Sequence, residues 1–384
     1  MLKIGIVLDN SVNKWGLQRF EPIRDEHDIT VFIGERNKYD VSAIKLKKHL
    51  LRHKEERLLA LKSPLATYRR VLGAPYRKMD FYYFSLNKYL ENMDIVYTSD
   101  TLRSAYTLAS MKDKFGYKLI VSWWENIPYK AVFDAKETFI KRFVLEKADL
   151  ILPYTETAAR SLRLEGIPDE KLKVVYPGVD TDKFTPGPKP ADILSANKID
   201  AGSFVVLYVG QLASWKGVHN LVYSAKVLKQ KNIAGFTIAI AGKGAQRENM
   251  EKMIKESGTE EHFRFLDFIS YDRIPDIHRA ADVFVLPSYP TMNWQEQFGF
   301  VLVEAMACGK PVISTASGSI PEVVGNAGVV IPPGDYEALA NSILLLMNDK
   351  GLRERLGECG RERAVRLFSS AKKARELSML LSGL

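Results

Sequence analysis

Glu296-Gln-Phe-Gly299-Phe-Val-Leu-Val-Glu304-Ala-Met-Ala-Cys-Gly309-Lys-Pro311-Val-Ile313 is the stretch whose reading decides this chain. Gly299 precedes a helix-forming run that stops at Gly309, with Pro311 beyond. Glycine just past a helix end and proline soon after form the expected stop signal. The predicted helix begins near Phe300–Val301, where the first amides lack an intrahelical acceptor. Such amides, together with the helix dipole, suit a phosphate. Glu304 is placed in the first turn or so. Its carboxylate can accept two hydrogen bonds, as a vicinal diol such as a ribose requires. Glu296 stands before the helix, where it would meet the sugar end of the same ligand. Two glutamates alone would equally describe a capped helix with solvated acids, so the surrounding sequence decides.

Outward from this stretch, short β-branched runs alternate with longer amphipathic ones. Val205–Val209, Phe236–Ala241, Phe263–Phe265, Val283–Leu286, Pro311–Ser314 and Gly328–Ile331 read as buried strands. An earlier series, Ile4–Leu8, Ile29–Ile33, Ile95–Tyr97, Leu119–Val121 and Leu150–Leu152, reads the same way, with helical patterns such as Phe139–Lys147 and Glu156–Leu164 between. Alternating β and α elements predict parallel sheets wrapped by helices. Between the two series lies Tyr176–Pro190, rich in proline and glycine, where a continuous element is improbable. The expected domains are therefore 1–177 and 178–365, each doubly wound, with the sheets facing a cleft. Glu362–Leu384 reads as one amphipathic helix, whose part from about 366 packs on its own domain or back on the first.

The 384 residues are ample for two domains, and 46% hydrophobic with 26% charged is a soluble globular composition. Cys308 and Cys359 have no Cys or His at metal-ligand spacing, which argues against zinc and disulfide frameworks. The start, Met1–Asp9, reads as a buried strand and not a signal peptide, and no apolar run has the length of a membrane span. A cytoplasmic protein is expected. The net charge of +9 is uneven, for residues 45–78 alone hold 11 basic and 2 acidic side chains. There Leu50, Leu51, Leu58, Leu59, Tyr68 and Tyr76 interleave with Lys and Arg, and the stretch reads as a basic, aromatic helix meeting an anionic membrane surface. A solvated outer helix is the plainer alternative, and nucleic acid is not the expected partner.

Taken together, the motifs resemble those of the retaining glycosyltransferases of family 4, the glycosyl transferases group 1. The resemblance rests on two glutamates separated by seven residues, with Phe-Gly after the first and Ala-Met-Ala-Cys-Gly-Lys-Pro-Val-Ile after the second. Four further pieces follow the family's order: Tyr208-Val-Gly210-Gln211-Leu-Ala-Ser-Trp-Lys216-Gly217, Ala241-Gly242-Lys-Gly244, Ala281–Ser288 and Gly318–Val324. Tyr176-Pro-Gly-Val-Asp180 resembles the hinge motif. The match is close over about 174–335 and only general before it. It implies the GT-B fold, two Rossmann-like domains, and a nucleotide-sugar donor with a glycan or lipid-linked acceptor. By resemblance Glu304 would hold the ribose hydroxyls, and Glu296 with the backbone at Phe298, Gly299 and Phe300 the sugar hydroxyls. Val301 and Lys216 would meet the diphosphate near Gly210, Gln211 and Gly242. Glu296 and Lys216 are the expected catalytic residues. A fixed cation there is sound chemistry, because the leaving group gathers negative charge as the glycosidic bond breaks.

Three departures stand out. The family places Arg where Gln211 stands. A first-loop glycine pair is reduced to Gly16, and the family's His-Asp gives way to Val121-Ser-Trp-Trp-Glu-Asn126. Trp123 and Trp124 would stack on a sugar face and Glu125 or Asn126 would bind its hydroxyls, making Gly16, Trp124, Glu125 and Asn126 the acceptor-side candidates; a core Trp pair is the alternative. Asp180-Thr-Asp182 spells a metal-binding DxD of the other glycosyltransferase fold but sits in the hinge motif, so neither metal nor cofactor is expected. The rival readings are a GT-B epimerase and a nucleotide-sugar-binding protein that has lost catalysis.

Overall fold

A computed structural model of the chain describes residues 1–51, 86–99, 102–266 and 270–384. The chain forms two compact units. One comprises Met1–Gly178 with Ser370–Leu384, the other Val179–Ser369.

The first unit holds a six-stranded sheet of β1 (Lys3–Val7), β2 (Asp28–Gly34), β3 (Lys47–Leu51), β4 (Ile95–Ser99), β5 (Lys118–Trp123) and β6 (Leu150–Pro153), in the order β3-β2-β1-β4-β5-β6. All its pairings are parallel. The second unit repeats the plan with β7 (Phe204–Val209), β8 (Phe236–Ala241), β9 (Phe263–Leu266), β10 (Val283–Leu286), β11 (Val312–Thr315) and β12 (Gly328–Ile331). Its order, β12-β11-β10-β7-β8-β9, is again all parallel. Each sheet therefore reverses its winding once, between β1 and β4 and between β7 and β10. Ligands of open α/β sheets bind outside the strand C-termini at such a reversal. β7 and β8 are buried at every position. A sheet covered on both faces needs such unbroken apolar strands, which is why they stand out in the sequence.

Two expectations are corrected. The basic stretch is not helical at its start, because Lys47–Leu51 is the edge strand β3, with Lys47 opposite Thr30 and Leu51 opposite Gly34. Lysines on an edge strand discourage pairing with another chain. Residues 52–78 lie outside the described residues. The terminal segment is not one helix but two, Lys350–Leu367 and Ser370–Ser382. The break is tertiary in origin. Phe368 is fully buried, its carbonyl accepts from the Val179 amide at 2.7 Å, and Ser369 pairs with Val179. Ser370–Ser382 then buries Ala374, Leu377 and Leu381 in the core of the first unit, against residues such as Ile4, Ile6 and Val175.

Candidate functional site

In the second unit the loops leaving β7 and β10 flank the winding reversal, and close backbone contacts fix both. Gly217 has φ +66°, and a side chain there would place its Cβ 1.8 Å from the carbonyl oxygen of Pro287, just past β10. A Cβ at Gly242, just past β8, would lie 1.9 Å from the carbonyl oxygen of Gly210. Only glycine permits either approach. Three loops are thus held against one another at one edge of the sheet.

Lys216 and Glu296, 80 residues apart, meet on this edge. Lys216 Nζ donates to Glu296 Oε2 at 2.7 Å. Ser288 Oγ donates to the same oxygen at 2.8 Å. The lysine ammonium also lies 4.8 Å from the centre of the Trp294 ring. The backbone of Glu296 is fixed as well, for its amide donates to Ser317 Oγ at 3.3 Å and its carbonyl accepts from the Ser319 amide at 2.9 Å. Glu296 is buried and Lys216 half-buried. The Tyr208 hydroxyl, pushed well up by burial and by the charge of Glu296, stays protonated. It donates to the carbonyl of Gln211 at 2.7 Å, whereas the Gln211 residue itself is exposed.

The helix after this loop is Phe300–Ala307, entered from Gly299 in the left-handed region at φ +81°. Phe298 is buried against Phe300 and Phe368, with ring centres 5.1 and 5.5 Å away, so only its backbone is offered to a ligand. The first-turn amides at Phe300 and Val301 open at the helix N-terminus. Glu304 is the fifth helical residue, just past the first turn, and is buried. Among the described residues its one ion-pair neighbour is His278, whose Nε2 lies 3.7 Å from Oε2. The His278 ring is wholly buried between Phe184 and Phe284, and neither of its nitrogens has a hydrogen-bond partner among the described residues.

The acceptor-side candidates lie in the first unit. Gly16 belongs to the one-turn helix Lys14–Leu17, where its amide donates to the capping Asn13 at 2.8 Å. Nothing in its backbone demands glycine, since an added Cβ would meet only Asn13 Oδ1 at 3.5 Å. The Trp124 ring stacks on Tyr154 at 3.8 Å between centres and 33° between planes. Trp123 takes the other course and joins the core, with Lys141 Nζ 5.1 Å from its ring. Glu125 closes its own turn, accepting from the amides of Asn126 and Ile127 at 3.0 and 2.9 Å and pairing with Lys130. Asn126 is buried. Beneath Tyr154 is a residue that the sequence does not single out. Arg19, fully buried, donates to the hydroxyls of Tyr97 and Tyr154, the latter at 2.9 Å, and its charge lies 4.7 Å from the Tyr154 ring. No motif marks it. Ser288 and Ser319 were within reach, since they stand in stretches quoted above for other reasons. Among the described residues no cluster of three or more His, Cys, Asp or Glu could hold a metal ion.

Two family models match consecutive parts of the chain. Glycosyltransferase Family 4 matches residues 24–183, and Glycosyl transferases group 1 matches residues 191–363. A D-inositol 3-phosphate glycosyltransferase of Corynebacterium efficiens is 29% identical over 296 residues, 73% of this chain and 65% of that protein. A GDP-mannose-dependent alpha-(1-6)-phosphatidylinositol monomannoside mannosyltransferase of Mycolicibacterium smegmatis is 30% identical over 56% of this chain and 57% of that one. The matched region thus spans less than two thirds of the length of these relatives. Among solved structures, HepE of Anabaena in complex with UDP superposes over 100% of both chains with a TM-score of 0.78 at 21% identity. Sucrose-phosphate synthase of Thermosynechococcus elongatus gives 0.73 at 22% identity, over 100% of this chain and 99% of that one. At such identities the likeness speaks for the fold, and it is the fold the motifs imply.

Proposed function

The chain belongs to the glycosyl transferases group 1 of glycosyltransferase family 4, with the GT-B fold, and on that premise we propose that it moves a hexose-type unit from a GDP- or UDP-linked sugar to a glycan or lipid-linked acceptor, with retention at the anomeric carbon. The observation that carries the reading is the Lys216–Glu296 pair. It sets a cation, on the loop after β7, and a carboxylate, on the loop that leads into the Phe300–Ala307 helix, together at the winding reversal. An anionic leaving group beside hydroxyls to be oriented calls for that combination.

In the reaction the bond from the anomeric carbon to the β-phosphate oxygen breaks. The acceptor oxygen bonds to the same face of that carbon, and its proton passes to the departing β-phosphate oxygen. The protein supplies position and electrostatics. Lys216 and the first-turn amides at Phe300 and Val301 stabilise the diphosphate as its charge grows. Glu304 holds the ribose diol, and Glu296, steadied by Ser288, orients the sugar hydroxyls. Relatives named for inositol 3-phosphate and for a phosphatidylinositol mannoside favour a polyol or lipid-linked acceptor. No helix among the described residues is long and apolar enough to cross a membrane. We place the protein in the cytoplasm, partly on the inner face of the membrane, with the excess charge of residues 45–78 meeting anionic lipid.

The test is incubation with UDP- and GDP-hexoses while nucleoside diphosphate release is followed with and without added acceptor. Release that rises with acceptor, giving a product with the donor's anomeric configuration by proton NMR, is the expected result. An inverted product overturns retention. A protein that binds these donors and never releases diphosphate is the binding protein instead.

A further inference from the structure

We infer that His278 is the positioning residue for Glu304, an imidazole set behind the carboxylate so that its Nε2 proton fixes the oxygens presented to the ribose; this rests on the donor reading above. His278 lies in the helix Ile274–Ala280 of the second unit. Its Nε2 stands 3.7 Å from Glu304 Oε2. The ring has no exposed surface, so it does not meet a nucleotide itself and acts through the carboxylate in front of it.

The surroundings would suit an apolar side chain. The ring sits between Phe184 and Phe284, with ring centres 6.1 and 5.3 Å away. Pro275, Ile277 and Ala280 of the same helix are buried with it. A buried donor or acceptor left unmade destabilises a fold. Yet among the described residues neither Nδ1 nor Nε2 has a hydrogen-bond partner. Two aromatic neighbours thus hold the plane of a polar ring that gains nothing from them, while one of its nitrogens faces a buried carboxylate.

Glu304 lacks what Glu296 has. Glu296 Oε2 accepts from Lys216 at 2.7 Å and from Ser288 at 2.8 Å, so its carboxylate is set before any ligand arrives. Among the described residues the one ion-pair neighbour of Glu304 is His278, and 3.7 Å is too long for a hydrogen bond. The terminal torsion of a glutamate is broad, so a carboxylate without a donor has no fixed plane. A vicinal diol needs both acceptor oxygens oriented together. A rotation that brings Oε2 about 0.8 Å closer to Nε2 makes an ordinary hydrogen bond, with the ring proton on Nε2. Each carboxylate oxygen has two lone pairs. Oε2 can therefore accept from the imidazole and from one ribose hydroxyl, and Oε1 from the other.

Calorimetric titration of UDP, GDP and their 2′,3′-dideoxy counterparts into wild type, His278→Phe, His278→Asn, His278→Gln and Glu304→Ala tests this. Phenylalanine fills the ring's place without a donor. Asparagine keeps an amide that stops near the Nδ1 position, whereas the glutamine amide reaches the place of Nε2. His278→Phe and His278→Asn are expected to weaken the preferred ribonucleotide about ten-fold, as for one hydrogen bond to a charged group, and to leave the dideoxynucleotide unchanged. His278→Gln should retain the wild-type affinity for both. If His278→Phe does not fold, the contrast between asparagine and glutamine decides. An equal loss for ribonucleotide and dideoxynucleotide overturns the inference, since the ring would then serve packing alone. So does a glutamine variant that behaves as the asparagine one. If Glu304→Ala weakens the ribonucleotide and His278→Phe does not, this inference falls and the donor reading stands. If Glu304→Ala changes nothing, or wild type takes neither diphosphate, the donor reading falls and this inference with it.

Discussion

Neutralising Glu296 and removing Lys216 should move diphosphate affinity in opposite directions. Consider Glu296→Gln first. The substitution keeps the shape and the amide can still accept from Ser288, whose hydroxyl lies 2.8 Å from the carboxylate. What changes is the charge facing Lys216 at 2.7 Å. Coulomb's law at that separation gives about 1.5 kcal/mol with bulk-water screening and about 6 kcal/mol at an effective dielectric of about 20. Lys216 keeps 20% and Glu296 9% of its side-chain surface in contact with solvent, so the pair lies between these limits and the lower figure is a minimum. An incoming diphosphate no longer competes with a carboxylate for the lysine, and no longer faces its repulsion. Free UDP or GDP should therefore bind about ten-fold more tightly to Glu296→Gln than to wild type. Transfer should nevertheless fall, because the sugar hydroxyls lose a charged acceptor worth about 1.5–3 kcal/mol. Lys216→Met should do the reverse to affinity, weakening the diphosphate by roughly ten- to a hundred-fold. It also leaves Glu296 buried without its cation, so some stability is lost. The assay is calorimetry with the free diphosphate, paired with initial rates from the intact donor. If both variants weaken the diphosphate alike, the pair does not face it and the electrostatic reasoning fails.

Four further outcomes are expected. Glu304→Ala should weaken nucleotide binding by about 1.5–3 kcal/mol, and calorimetry should show that the variant no longer distinguishes a ribose from a deoxyribose nucleotide; undiminished affinity removes Glu304 from the site. Leu377→Ala opens a cavity in the core of the first unit and should cost about 2–5 kcal/mol in urea unfolding, while leaving the affinity of the folded protein for nucleotide unchanged. Activity should survive a chelator, since helix amides and lysines serve where other glycosyltransferases use a metal; loss that manganese or magnesium restores defeats this. Replacing Lys45, Lys47, Lys48 and Arg52 with Gln should release the protein from anionic vesicles in a sedimentation assay at low salt, at about 1 kcal/mol per charge. Wild type that ignores such vesicles makes a soluble acceptor the better reading.

What the sequence reveals depends on how locally each feature is determined. Strands such as Phe204–Val209 and Phe236–Ala241 are legible because burial on both faces forces an unbroken apolar run. β3 is not, because Lys47-Lys48-His49 on a sheet edge carries no such run. The stop at Phe368 is equally silent. It is set by pairing with Val179, nearly two hundred residues earlier, while the helical periodicity continues through it. In the site, Gly299 and the helix it starts follow from adjacent residues. The meeting of Lys216 with Glu296 does not, since no spacing in the chain foretells it. Nor does the burial of Arg19 under Tyr154, because an arginine near a chain start reads as surface until the tyrosine hydroxyls around it are seen.

The glycines that bring the loops after β7, β8 and β10 into backbone contact also divide the labour of change along this edge. At Gly217 and Gly242 any side chain collides with a carbonyl oxygen, so these positions are closed to variation. Gln211 and Ser214, between Gly210 and Gly217, and Lys243, between Gly242 and Gly244, are exposed on this frame. A library meant to alter which donor this protein accepts should therefore hold the glycines fixed and randomise the positions in between. Substitutions there can exchange charge, length and shape without asking the fold to absorb them.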